Sequence, residues 1–140
     1  MDQDVLEGRR ILVVEDEFLI ALSLRSQFES LGAHVAVAAS VAEGLAQADD
    51  AHDAAVLDVR LPDGDVFPVA EALARRGVPL VFHSGHADGN ELERSFPGAM
   101  ALSKPACQVA LAASVRAVID APRGAAQAPG TSGGSASPRS

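Results

Sequence analysis

Ala54-Ala55-Val56-Leu57-Asp58-Val59-Arg60-Leu61-Pro62-Asp63-Gly64-Asp65 is the stretch that decides how the chain reads. Its apolar run, Ala54 to Leu57, stops at a carboxylate, Asp58. A short apolar run bounded by polar and turn residues predicts a buried strand. Pro62, Asp63 and Gly64 then turn the chain. Asp58 is therefore expected at the carboxyl end of a central strand, the edge at which open α/β sheets bind ligands.

Working outward, the same grammar repeats. Ile11-Leu12-Val13-Val14 ends in Glu15, Asp16 and Glu17, a second strand with acids at its carboxyl end. Ile20, Leu24, Phe28 and Leu31 form one helical apolar stripe, and Gly32 stands where a helix C′ residue belongs. His34 to Ala38 predicts a modest strand. Ser40-Val41-Ala42-Glu43 matches a capping box opening a helix from Val41 to about Ala48. Beyond Asp58, Phe67 to Arg76 predicts a helix stopped by Gly77. Pro79 to His83 predicts a strand that ends at Ser84, and Ala99 to Leu102 one that ends at Ser103-Lys104-Pro105. Between them, Ala87 to Ser95 is helical by position, though Asp88, Gly89 and Asn90 are poor helix formers. Gln108 to Asp120 predicts the last helix, burying Leu111, Val115 and Val118. Strand and helix thus alternate through the chain, which implies a parallel sheet with helices on both faces.

Composition narrows the class. The 140 residues suffice for one domain, and the 48% hydrophobic content is that of a globular protein. We read residues 1–8 as an N-terminal extension, 9–121 as the domain and 122–140 as a disordered tail rich in small and polar residues. No apolar stretch spans a membrane, and the acidic start is unlike a signal peptide, so a cytoplasmic location without membrane association is expected. The net charge of −8 with no basic cluster argues against nucleic acid. Cys107 is the only cysteine, which excludes an internal disulfide, and is expected to behave as a buried small hydrophobe.

The strand ends carry Glu15 and Asp16, Asp58, Ser84, and Lys104, all on one sheet edge. Clustered carboxylates repel one another unless a cation is present. Hard oxygen ligands in a small open cluster suit Mg²⁺, which keeps several waters and bridges to phosphate. Lys104 supplies a fixed positive charge, Ser84 a hydroxyl donor, and Gly85 space and an amide. Together these residues suit in-line phosphoryl transfer, with Asp58 as the nucleophile.

Ile11 to Glu17, Val56-Leu57-Asp58 with Leu61-Pro62, Ser84-Gly85 and Lys104-Pro105 resemble the receiver domain of bacterial two-component response regulators, over about Arg9 to Asp120. The resemblance implies a flavodoxin-like (βα)5 doubly wound parallel sheet of strand order 2-1-3-4-5. It implies Asp58 as phosphoacceptor, Glu15, Asp16 and Asp58 as Mg²⁺ carboxylates, and the Arg60 backbone carbonyl as a further metal ligand. Ser84 becomes the switch hydroxyl, Lys104 the phosphate-pairing lysine, and Lys104-Pro105 a cis bond. The phosphoryl donor would be a histidine kinase or histidine phosphotransfer protein. The tail encodes no effector domain, so the expected role is a stand-alone receiver. It would signal to a downstream protein by contact or act as a phosphate sink, and it would catalyse nothing beyond its own phosphorylation and dephosphorylation.

Three positions depart from the family pattern. Glu15 replaces the usual first Asp. Ala101 stands where an aromatic switch residue is usual. Leu80 to His86 resembles the Phe-Ala-Thr-Gly-Tyr segment of a single-domain subgroup, with His86 at the Tyr position as a possible substitute switch ring. His83 is expected on the other face of its strand, in a structural role.

Other functions fit less well. A haloacid-dehalogenase-like phosphatase needs a second acid where Arg60 stands. A serine hydrolase needs a glycine where Phe82 stands. A flavin module needs a hydroxyl-rich loop where Glu15 to Glu17 stand. The alternative that survives is a phosphorylation-independent pseudo-receiver, a docking module.

Overall fold

The computed structural model describes residues 5–85 and 89–121. The expectations for His86 and for the tail from 122 onward lie outside these residues.

The elements run β1 (Arg10–Val14), α1 (Phe18–Ser30), β2 (His34–Ala38), α2 (Val41–Gln47), β3 (Ala54–Leu57), β4 (Arg60–Leu61), β5 (Gly64–Asp65), α3 (Phe67–Arg75), β6 (Leu80–Ser84), α4 (Gly89–Ser95), β7 (Met100–Ser103) and α5 (Gln108–Asp120). Five strands form one parallel sheet in the order β2-β1-β3-β6-β7. With the β4–β5 hairpin set aside, this is the expected 2-1-3-4-5 order of a flavodoxin-like sheet.

Alternation along the strands builds two cores. Ile11, Val13, Val56 and Val81 face Leu24 and Phe28 of α1 and Leu111, Val115 and Val118 of α5. Leu12, Val14, Leu57 and Phe82 face Val69 and Leu73 of α3 and Leu92 of α4. Both faces of β3 are buried, as a central parallel strand requires.

The helix punctuation holds. Gly32 and Gly77 follow the last residues of α1 and α3 with φ of +98° and +78°, the left-handed conformation of a C′ glycine. Ser40 caps α2 by accepting from the Glu43 N–H at 3.1 Å. The Glu43 carboxylate reaches back one residue further than a capping box requires, accepting from the Ala39 N–H at 2.8 Å.

Two features differ from expectation. Cys107 is exposed, not buried: its Sγ caps α5 by accepting from the Ala110 N–H at 3.4 Å, a polar contact that keeps the thiol at the surface. The segment before β1 also joins the core. Leu6 is fully buried beside α1 and α5, and its N–H donates to Leu31 O at 2.9 Å. Arg116 Nη1 donates to the Val5 carbonyl.

No helix among the described residues is long and apolar enough to cross a membrane.

Candidate functional site

The sheet brings the expected residues to one edge. Asp58 follows β3 directly and is buried, and its N–H donates to Val14 O at 2.9 Å, tying it to the end of β1. The Glu15 N–H donates to Ala38 O at 2.9 Å, fixing it between β1 and β2. Ser84 ends β6 opposite Ser103, and the Lys104 N–H donates to Ser84 O at 3.0 Å. Backbone pairing of neighbouring strands thus aligns four loops.

Carboxylate oxygens of Glu15, Asp16 and Asp58 lie within 4.8 Å of one another. Asp16 is exposed, whereas Glu15 and Asp58 are buried. Lys104 Nζ enters this cluster, 3.0 Å from Asp58 Oδ2 and 2.9 Å from Glu15 Oε1. Glu15 Oε2 accepts from the Glu17 N–H at 3.0 Å. The longer side chain of Glu15 therefore folds back onto the α1 entrance and reaches the lysine, a contact the sequence did not suggest.

The electrostatics follow from this packing. Burial pushes the Glu15 carboxyl above its ordinary value, against the Glu17 amide and the Lys104 ammonium, which favour its ionised form. Burial alone would lower the Lys104 ammonium; its hydrogen bonds to Glu15 and Asp58 outweigh that, and the net shift is upward. Lys104 stays protonated and offsets part of the carboxylate repulsion.

The donor set fits a hard divalent cation. Three carboxylates converge, and Asp16 presents its oxygens to solvent. Arg60 lies in the β4–β5 hairpin opposite Asp65. The Val66 N–H donates to Val59 O at 2.8 Å, so Val59 and Val66 form the bonded pair and Arg60 and Asp65 the non-bonded one. The Arg60 carbonyl accordingly lies outside the hairpin ladder.

Around the cluster the departures find physical form. Lys104-Pro105 is cis. A Cβ on Gly85 would meet only the Lys104 side chain at 3.9 Å, so the fold itself does not demand a glycine there. Ala101 packs closely under α4, since a Cβ on Gly89 would stand 3.3 Å from its methyl. His83 is buried, and its Nε2 accepts from the Ala106 N–H at 3.3 Å, just beyond the cis proline. Burial, and next the nearby lysine charge, push its pKa down despite Asp58, so the neutral ring that can accept this bond is favoured.

Asp63 carries a role beyond the turn that its sequence context predicts: its carboxylate accepts from the Val41 N–H at 2.8 Å and the Ala42 N–H at 3.1 Å. These bonds hold its carboxyl below the ordinary value. An exposed acid in a turn carries no signal of a partner some twenty residues earlier.

Residues 11–119 match the response regulator receiver domain family. The chain belongs to that family. This receiver is similar to a response regulator receiver protein from Sinorhizobium medicae WSM419, with 27% identity and a TM-score of 0.75 over 83% of this chain and 98% of that one. It is similar to the non-phosphorylated HemR receiver domain from Leptospira biflexa, with 30% identity and a TM-score of 0.73 over 82% and 97% of the two chains. It shares its fold with the receiver domain of sensor histidine kinase PA1611 from Pseudomonas aeruginosa PAO1, at 24% identity and a TM-score of 0.70 over 81% and 99% of the chains. That structure has a magnesium ion coordinated in its active site cleft. No curated protein matches the chain. Receiver domains are signalling domains of two-component systems that interact with histidine kinases or phosphotransfer proteins.

Proposed function

We propose that this receiver accepts a phosphoryl group on Asp58 from a histidine kinase or histidine phosphotransfer protein, in a Mg²⁺-dependent reaction. The observation that supports this most is the placement of Lys104 Nζ 3.0 Å from Asp58 Oδ2 within a cluster of carboxylates at the strand ends. A carboxylate oxygen of Asp58 attacks phosphorus. The new O–P bond forms as the P–N bond to the donor imidazole breaks, and the imidazole leaves with the electron pair. Lys104 balances charge on the transferred group, the Ser84 hydroxyl donates to a phosphoryl oxygen, and the Gly85 amide is the adjacent donor. Glu15, Asp16, Asp58 and the Arg60 carbonyl are the residues that would hold Mg²⁺, which when bound neutralises charge on the phosphoryl group.

The donor's docking surface lies beside the site. Phe18 and Leu19 of α1 are 73% and 74% exposed, and Val109 of α5 is 79% exposed. The Gln108 side chain donates to Ser23 Oγ at 2.9 Å, so the two helices lie side by side with these apolar residues near their N-terminal ends. An exposed patch of this kind marks an interaction site. Output is then by protein contact or by drawing phosphoryl groups from a shared donor.

The test is intact mass after incubation with acetyl phosphate, with and without Mg²⁺, on wild type and Asp58→Ala. One added phosphoryl group requiring both Mg²⁺ and Asp58 is expected. The absence of an adduct together with the absence of Mg²⁺ binding by calorimetry overturns the reading. It would favour the docking module, to which Ala101, in place of an aromatic switch, lends its support.

A further inference from the structure

We infer that Asp63 is a positioning residue for the cation site, clamping the tip of the Arg60–Asp65 hairpin to the β2–α2 corner that also holds Glu15. The inference rests on the assignment of the acid cluster as a Mg²⁺ site.

The hairpin that carries Arg60 is only two residues per strand. A ribbon that short has little stability of its own. It is closed at its base by the Val66 N–H to Val59 O bond, and Gly64 turns it with φ of +134°. Leu61 anchors its apolar side in the core, and the Asp63 carboxylate supplies a polar tie at its tip. One carboxylate takes two consecutive amides, Val41 at 2.8 Å and Ala42 at 3.1 Å. Charge-assisted bonds of this kind are the stronger ones.

The corner that receives Asp63 is itself tied by hydrogen bonds. The Ala39 N–H goes to Glu43 Oε1, the Glu43 N–H to Ser40 Oγ and the Gly44 N–H to Ser40 O. The residue just before it, Ala38, accepts the Glu15 N–H at 2.9 Å. A single corner, Ala38 to Gly44, thus grips the loop after β1 through Glu15 and the loop after β3 through Asp63. Those loops supply Glu15 and Asp16 on one side of the cluster and Asp58 and Arg60 on the other. Asp63 touches no ligand; it sets the distance between the two halves of the ligand set. Groups that hydrogen-bond a metal ligand directly change metal affinity by roughly 10–100-fold when removed, and Asp63, one step further out, should act at the lower end of that range.

Gly32→Ala provides the control, because Gly32 has φ of +98° and lies before β2, at the opposite end of the sheet from the corner and the hairpin. Mg²⁺ titration by calorimetry is carried out on wild type, Asp63→Ala, Asp63→Asn and Gly32→Ala, with thermal melting of each. Asp63→Ala should weaken Mg²⁺ by about tenfold. Asp63→Asn, which keeps an acceptor oxygen, should fall between it and wild type. Gly32→Ala should lower the melting temperature while leaving Mg²⁺ affinity unchanged. Equal affinities in wild type and Asp63→Ala overturn the inference, as does an equal loss in Gly32→Ala, which would make the effect one of overall stability. Wild type that binds no Mg²⁺ removes the cation-site reading and the inference with it. If wild type binds and Asp63→Ala does not differ, only the inference falls.

Discussion

Lys104 Nζ reaches Glu15 Oε1 at 2.9 Å, so the lysine that neighbours Asp58 is also bonded to the first acid of the cluster. Two buried carboxylates thereby share one cation. Removing it in Lys104→Met leaves both uncompensated, and breaking such a pair costs a few kcal/mol. Because the Lys104 side chain keeps 16% exposure, we expect a loss nearer about 2 kcal/mol in chelator. Mg²⁺ should restore part of this loss, since it brings positive charge to the same oxygens. Urea unfolding with and without Mg²⁺ measures both effects.

The apolar patch predicts a split between two phosphoryl donors. Leu22 is half exposed on α1, one turn from Phe18 and Leu19, and is not a member of the acid cluster. Leu22→Asp should slow transfer from a histidine kinase that phosphorylates wild type, by roughly tenfold or more for an interface anchor. Uptake from acetyl phosphate should be unchanged. Parallel radiolabel time courses with the two donors decide it, and equal slowing of both would remove the patch from the docking surface.

Gly32 answers to two demands at once. Its φ is +98°, and a Cβ there would stand 2.7 Å from Glu7 Cα. Gly32→Ala should therefore cost more than the roughly 1 kcal/mol of a left-handed alanine alone, and we expect about 2 kcal/mol or more, because the strap before β1 must move. Chemical denaturation gives the figure. Phosphorylation per folded molecule should not change, as the position is at the opposite end of the sheet from Asp58.

His83 predicts an acid-side loss of stability. Its folded pKa is below the ordinary 6.5. The unfolded chain then binds the proton more readily, so stability falls as pH drops below 6.5 and levels off only under the folded pKa. His83→Gln, which keeps an acceptor for the Ala106 amide and does not titrate, should lose less over the same interval. Melting curves of the two proteins from pH 8 to pH 5 compare them directly; parallel curves would exclude His83 as the source.

Much of this was legible in the sequence because period and punctuation agreed. The run Ala54 to Leu57 and the stripe Leu111, Val115 and Val118 gave strand and helix limits that the structure reproduces. The acids at strand ends could be collected because a parallel sheet puts all its carboxyl ends on one edge. What was not legible depended on side chains meeting across long stretches of chain. The Asp63 bond to α2, the reach of Glu15 to Lys104 and the His83 acceptor for Ala106 leave no periodic trace. The β4–β5 hairpin is too short to show alternation, and nothing in the sequence around Cys107 separates a capping thiol from a buried one.

Leu6 fills a fully buried place against α1 and α5, ahead of the first residue at which the family resemblance begins. A fragment trimmed to that resemblance would lack the leucine and the Arg116 anchor on Val5. Emptying a buried leucine site costs about 2–5 kcal/mol, a large share of the 5–15 kcal/mol typical of a whole domain. Anyone excising this receiver for fusion to another protein should keep the chain from before Val5. Trimmed at residue 11, the receiver would carry a hole beneath α1 and α5.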